Sequence, residues 1–201
     1  MAVTVPEGEL DGIKIERFTI EPDDIRNFVN ALKGRGTEPG TYTRLMKDGR
    51  LWMSDVKAER RDHLIVLQKV ATLKAKRVVL NGLGLGMVLK GVLEFDHVEH
   101  VDVVEIDPRI IKLAGTHYQQ DPRVHIHLAD AYNQIKLWPR GACWDVGWSN
   151  IWADITTDNL PDMTRLNRSY GRRCTWHGCW GQDMLQSMKA QEKRDEKRYY
   201  R

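Results

Sequence analysis

The spacing of apolar positions changes several times along the chain and is most regular between Arg77 and Asp107. Val78, Val79 and Leu80 form a continuous apolar run, as expected of a strand covered on both faces. The run stops at Gly82, Gly84 and Gly86, which alternate with leucines. Val88, Leu89, Val92 and Leu93 then recur at helical spacing and predict a helix over residues 87–95. A second, β-branched run from Val101 ends at Ile106, between the acids Glu105 and Asp107.

Before this unit the pattern is more broken. Ile13, Ile15 and Phe18 to Ile20 predict short strands around Leu10-Asp11-Gly12. Asp23 and Asp24 suit the first turn of a helix running through Ile25, Phe28, Val29 and Leu32. Gly34, Gly36, Pro39 and Gly40 mark a loop. Two apolar stretches around Asp48-Gly49 predict a hairpin. Leu64, Leu67, Val70 and Leu73 predict one helix over residues 55–73.

After the unit, strands and helices alternate. Pro108 opens a helix to about Tyr118, and a third strand covers residues 124–128, with His125 and His127 on its exposed face. A helix through Ile135 and Leu137 stops at Pro139. A fourth strand is expected over residues 144–151, a helix over 159–170 capped by Gly171, and a fifth strand over 173–180. A charged helix follows over 182–199. The alternation predicts an α/β fold: a Rossmann-like, doubly wound parallel sheet over residues 74–181. Residues 1–73 form an N-terminal extension of short strands, hairpin and helix, and residues 182–201 a C-terminal helix. The sheet looks truncated after its fifth strand. An open edge there invites pairing with a second copy, a homo-oligomer, or marks a fold kept as a binding or assembly module.

Composition adds limits. No apolar run approaches the ~20 residues that span a bilayer, so no membrane partner is expected. The first ten residues lack the basic and apolar regions of a signal peptide, and three irregularly spaced cysteines suggest no disulfide framework; a cytoplasmic location is expected. Basic pairs at Lys193-Arg194 and Lys197-Arg198 are interrupted by acids, which reads as a solvated helix face and leaves a slender case for nucleic acid.

In a doubly wound sheet, ligands lie at the C-terminal ends of the strands near the switch point. That rim holds Asn81, Gly82, Gly84, Gly86, Glu105, Ile106, Asp130, Ala131 and Asn150. Glycines permit a sharp turn and close approach of a ligand to the main chain. Glu105 is placed to accept from both ribose hydroxyls, and Asp130 from an exocyclic amino group. The alternative is a tight connection with both acids as surface caps. A dinucleotide site would need glycine at position 87, which is Met87.

The run V-V-L-N-G-L-G-L-G-M-V-L-K-G-V-L-E, with V-D-V-V-E-I-D-P after it, resembles the class I S-adenosylmethionine-dependent methyltransferases. Within them it is most similar to the polyamine aminopropyltransferases, or spermidine synthases, over roughly residues 77–170, with a weaker echo from Lys47-Asp48-Gly49-Arg50 to His63. The resemblance implies that Gly82, Gly84 and Gly86 line the methionyl part of S-adenosylmethionine, Glu105 holds its ribose, and Asp130-Ala131 meets its adenine. The chain also departs from that pattern. Leu85 stands where the aminopropyltransferases place an acid, Asn150 where they have a catalytic aspartate, and Trp52 where a glutamine is expected.

Losing two acids argues against holding a polyamine cation, although Asp154 lies close enough in sequence to replace one. Methyl transfer asks mainly for alignment of a nucleophile. Asn150 is then the catalytic candidate, with Asp154 behind it, and Trp52 and Trp152 are candidate substrate contacts. The sequence does not name the methyl acceptor. Cys174, His177 and Cys179 lack zinc-site spacing, and no metal is expected. The preferred expectation is a methyltransferase; a non-catalytic relative and an aminopropyltransferase are the alternatives.

Overall fold

The computed structural model describes residues 1–32 and 35–199, excluding the side chains of Arg26, Phe28 and residues 197–199. Gly34, the expected loop marker, lies outside the described residues, as do the Phe28, Lys197 and Arg198 side chains. Among the described residues there are two sheets. An antiparallel sheet runs in order through β1 (Gly8–Leu10), β2 (Ile13–Ile20), β3 (Gly40–Lys47) and β4 (Arg50–Ser54). Asp48 and Gly49 both take positive φ, 49° and 75°, as the predicted two-residue hairpin requires.

A parallel sheet has the order β7-β6-β5-β8-β9. Its strands are β5 (Arg77–Asn81), β6 (His100–Glu105), β7 (Val124–Leu128), β8 (Trp144–Ser149) and β9 (Cys174–Cys179). The chain moves outward from β5 to β7, then returns to the other side of β5 for β8. The predicted switch point therefore falls between β5 and β8. Along β5 and β6, Val78, Leu80, Val101 and Val103 join one buried layer, and Val79 and Val104 the other. The first layer also takes in Val3, Val5, Ile13, Ile15 and Leu45, so the N-terminal segment shares the core of the parallel sheet. No helix among the described residues is long and apolar enough to cross a membrane.

The helices are α1 (Ile25–Leu32), α2 (Lys57–Asp62), α3 (Leu64–Thr72), α4 (Met87–Leu93) and α5 (Pro108–Ile110). A π turn, Ile111–Gly115, continues α5 into α6 (Thr116–Tyr118); α7 (Ala131–Leu137), α8 (Leu160–Tyr170) and α9 (Gln182–Tyr199) complete the set. Several expectations are corrected. The helix expected over residues 55–73 breaks at His63, whose φ of −102° and ψ of 4° end α2 and start α3. The phase of its apolar face also shifts: Val66 and Val70 are buried, whereas Leu64 and Leu73 are exposed. In α1 the apolar face is not covered, with Ile25 78% and Leu32 75% exposed. Gly171 caps α8 with φ −62°, not in the left-handed conformation. His127 is drawn inward rather than left on an open face: its Nε2 lies 2.8 Å from buried Asp102, which also accepts from Trp144 Nε1 at 2.7 Å.

Candidate active site

The glycine turn between β5 and α4 is shaped by the protein's own atoms. Gly82, Gly84 and Gly86 have φ of 93°, 52° and 72°, a region costly for any residue with a Cβ. A Cβ on Gly82 would lie 2.2 Å from the Asn150 carbonyl oxygen. One on Gly84 would meet Met53 Sδ, and one on Gly86 the Tyr118 ring. Leu85 N–H donates to Met53 Sδ, and Tyr118 O–H donates to the Leu85 carbonyl at 3.0 Å. The main chain expected to lie bare is thus packed by β4, α6 and the end of β8, with Gly82 and Gly84 still reaching the cavity above.

That cavity, about 370 Å³, opens over the strand ends. Glu105 is buried on its wall, and its two oxygens accept from Leu83 N–H and Asp107 N–H, both at 2.9 Å. Each oxygen retains a lone pair, so the carboxylate is fixed in orientation while able to accept from a diol. Ile106 beside it is 67% exposed and supplies an apolar surface. Asp130 caps α7 by accepting from Tyr132 N–H at 2.9 Å and also lines the cavity with Ala131. The cap leaves Asp130 on the cavity wall, so the capping reading does not exclude the binding one. Asp107, the other acid of this turn, is committed elsewhere. It accepts from the Arg109 guanidinium at 2.6 Å, and that pairing pulls its carboxyl down to about 2.

Asn150, Trp52 and Trp152 also line the cavity. The Lys47 ammonium lies 4.8 Å from the Trp52 ring centroid. Three of the sequence-derived candidates stand elsewhere. Asn81 is fully buried below the rim and donates to Ser149 Oγ at 2.8 Å. Gly86 is buried against Tyr118, outside the cavity wall. Asp154 is exposed, and its carbonyl caps Asn159 Nδ2 at 2.7 Å. Asn81 is the last residue of β5, Gly86 caps α4, and Asp154 lies past the end of β8 at Ser149.

Glu59 and His63 are among the cavity-wall residues that escaped the sequence reading. Glu59, from α2, accepts from Ser54 N–H at 2.9 Å and from Ser54 Oγ at 2.5 Å, and burial pushes its carboxyl up. His63, at the α2–α3 break, is buried, and desolvation pulls its imidazole down to about 4. The α2 segment is anchored by buried Asp55, which accepts from Val3 N–H at 3.0 Å, Thr43 N–H at 2.7 Å and Arg60 at 3.2 Å. The signal in the sequence was a serine five residues ahead of Glu59, inside a stretch whose charges pointed to solvent.

A Glu105→Ala substitution is expected to weaken binding of an adenosyl ligand about 10- to 100-fold, the scale of lost hydrogen bonds to a charged group. It also orphans the Leu83 and Asp107 amides, lowering stability by about 1–3 kcal/mol. Titration calorimetry below the variant's melting temperature reads the first effect separately from the second.

No family model matches the chain. Over 98 residues it is 34% identical to polyamine aminopropyltransferase 2 of Ralstonia nicotianae, covering 44% of this chain and 19% of that protein. Over 141 residues it is 25% identical to spermidine synthase of Solanum lycopersicum, covering 67% of this chain and 40% of that protein. The chain spans less than half the length of these curated relatives. Among solved structures, spermidine synthase from Thermotoga maritima superposes with a TM-score of 0.52 at 21% identity, over 86% of this chain and 54% of that one. The fold is α/β and like that of spermidine synthase.

Proposed function

We propose that this chain binds S-adenosylmethionine in the rim cavity and transfers its methyl group to an acceptor. One observation carries the reading. The glycine turn after β5, Glu105 at the end of β6 and Asp130 beyond β7 converge on one cavity, with Glu105 already oriented by two amides. Glu105 would hold the ribose, Asp130 and Ala131 the adenine end, and Gly82 and Gly84 the amino-acid end. Bound S-adenosylmethionine supplies an activated methyl group. The chain's own part is to align an acceptor and keep water out, with Asn150, whose carbonyl abuts Gly82 in space, as a polar group on the wall and the cavity tryptophans beside it.

Aminopropyl transfer is the second reading. It is favoured by the names of the relatives and by Glu59, an acid in the same cavity. Against it, burial favours the uncharged form of Glu59. Such a carboxyl is a weak holder of an ammonium.

Calorimetry with S-adenosylmethionine, S-adenosylhomocysteine, decarboxylated S-adenosylmethionine and NAD separates the readings. Heat with the first two supports methyl transfer. A preference for the decarboxylated compound, with putrescine-dependent release of methylthioadenosine, replaces it by aminopropyl transfer. Binding with no methylation across a broad acceptor panel would leave a non-catalytic module. No heat with any adenosyl compound, from folded protein, overturns the proposal.

A further inference from the structure

A line of side-chain hydrogen bonds crosses the parallel sheet beneath the rim. Asn81 Nδ2, at the end of β5, donates to Ser149 Oγ, at the end of β8, at 2.8 Å. Ser149 Oγ lies 3.0 Å from His177 Nε2 on β9. His177 Nδ1 lies 2.5 Å from Asn167 Oδ1 on α8. Asn167 Nδ2 donates to Oε1 of Gln182, the first residue of α9, at 2.6 Å. Asn81 and Ser149 are fully buried.

The donors along this line run one way. Asn167 spends its amide nitrogen on Gln182 and presents its oxygen to His177, an oxygen that also accepts from the Cys179 thiol at 3.7 Å. A carbonyl oxygen only accepts, so His177 carries its proton on Nδ1 and keeps a lone pair on Nε2. Burial pulls this imidazole down to about 4, so at neutral pH it holds a single ring proton. Ser149 O–H therefore donates to Nε2, and the Ser149 oxygen accepts from the Asn81 amide.

The consequence falls on the rim cavity. β5 and β8 are the neighbouring strands that flank the switch point. There Asn150 N–H donates to the Asn81 carbonyl at 2.8 Å, and Trp180 N–H to the Ser149 carbonyl at 2.9 Å. Gly82 follows Asn81, Asn150 follows Ser149, and both line the cavity. They stand so close that a Cβ on Gly82 would lie 2.2 Å from the Asn150 carbonyl oxygen. The Asn81–Ser149 bond thus sits one residue below two wall residues, and His177 sets the direction of the Ser149 hydroxyl.

We propose that His177 is a positioning residue: as the Nδ1–H tautomer it orients Ser149, which holds Asn81 and with it the spacing of Gly82 and Asn150 on the cavity wall. Its effect on adenosyl ligands rests on the reading of the rim cavity as their site; the tautomer and the spacing do not.

Two substitutions each keep half of the imidazole. Glutamine places an acceptor near the Nε2 position and serves Ser149; asparagine reaches only the Nδ1 position and serves Asn167. His177→Asn and Ser149→Ala are expected to weaken S-adenosylhomocysteine binding about tenfold by calorimetry, and His177→Gln to stay within about threefold of the unsubstituted chain. Val124→Ala, buried on β7 and not on the cavity wall, should lower the melting temperature yet leave affinity within about twofold. Nitrogen-15 spectra at pH 7.5 should show His177 protonated at Nδ1. The Gly82 and Asn150 amide resonances should move more in His177→Asn than in His177→Gln. An Nε2–H tautomer, or equal affinity in the asparagine and glutamine variants of a chain that binds, overturns the proposal. If His177→Asn does not fold, Ser149→Ala and the tautomer decide. If the unsubstituted chain gives no heat with S-adenosylhomocysteine, the adenosyl reading fails, and the tautomer with the two amide resonances decides the positioning.

Discussion

Gly82→Ala is expected to lose about 2–5 kcal/mol of stability, the largest single-residue effect on this rim. Alanine at φ 93° costs about 1–2 kcal/mol in backbone conformation. Its methyl would also lie 2.2 Å from the Asn150 carbonyl oxygen, a main-chain atom fixed by the bond from Asn150 N–H to the Asn81 carbonyl. Neither partner can swing aside as a side chain does, so overpacking adds about 1–3 kcal/mol. For a chain of this size the sum is a fall of roughly 10 °C in melting temperature, read by calorimetry or circular dichroism. Gly84→Ala makes a useful contrast, because it meets the flexible end of Met53 rather than backbone. An unchanged melting temperature in Gly82→Ala would mean that the turn is not held against β8 as described.

Acid should destabilise the chain well above the usual carboxylate range. Burial holds both His63 and His177 down at about 4, against 6.5 for an exposed histidine. Between pH 6.5 and 4 the unfolded chain binds protons that the folded chain refuses. Stability therefore falls as pH falls through that window and is fully present above it. The depression at His63 corresponds to an upper bound of ~3 kcal/mol. Asp107 contributes nothing there; its lowered carboxyl supports the fold until pH drops below the ordinary aspartate value and toward 2. Urea midpoints measured from pH 7.5 to 4.5 should decline steadily, and His63→Leu should flatten roughly half of the decline. A pH-independent midpoint over that range would contradict the burial of these imidazoles.

The parallel sheet was legible because its strands carry their own signatures. Continuous β-branched runs mark strands covered on both faces, and Glu105 and Asp130 could be placed by their positions at strand ends. The N-terminal half was less legible. In Asp55 to Leu73, a helical period over the leucines concealed a break at His63 and gave the wrong buried face. The determinant is tertiary: Asp55 ties the start of α2 to the N-terminal segment at Val3 and to β3 at Thr43, which fixes where α3 can start. Glu59 and His63 were hidden for the same reason, since a charged run looks solvated until a neighbouring sheet closes over it. Asn81 and Asp154 show the opposite limit. Sequence adjacency put them near the rim, but the covering of both faces of β5 buried one and the exit of β8 exposed the other.

The packing of the glycine turn also bears on how a ligand is received. Asn150, Met53 and Tyr118 hold the turn from three directions before anything enters. Its backbone freedom is surrendered during folding, so little ordering entropy remains to oppose association. Affinity for this rim should therefore depend on the complementarity of the guest and depend little on induced rearrangement of the turn. Encounter should resemble the docking of a ligand onto a preformed surface, with residence time set by the contacts made there.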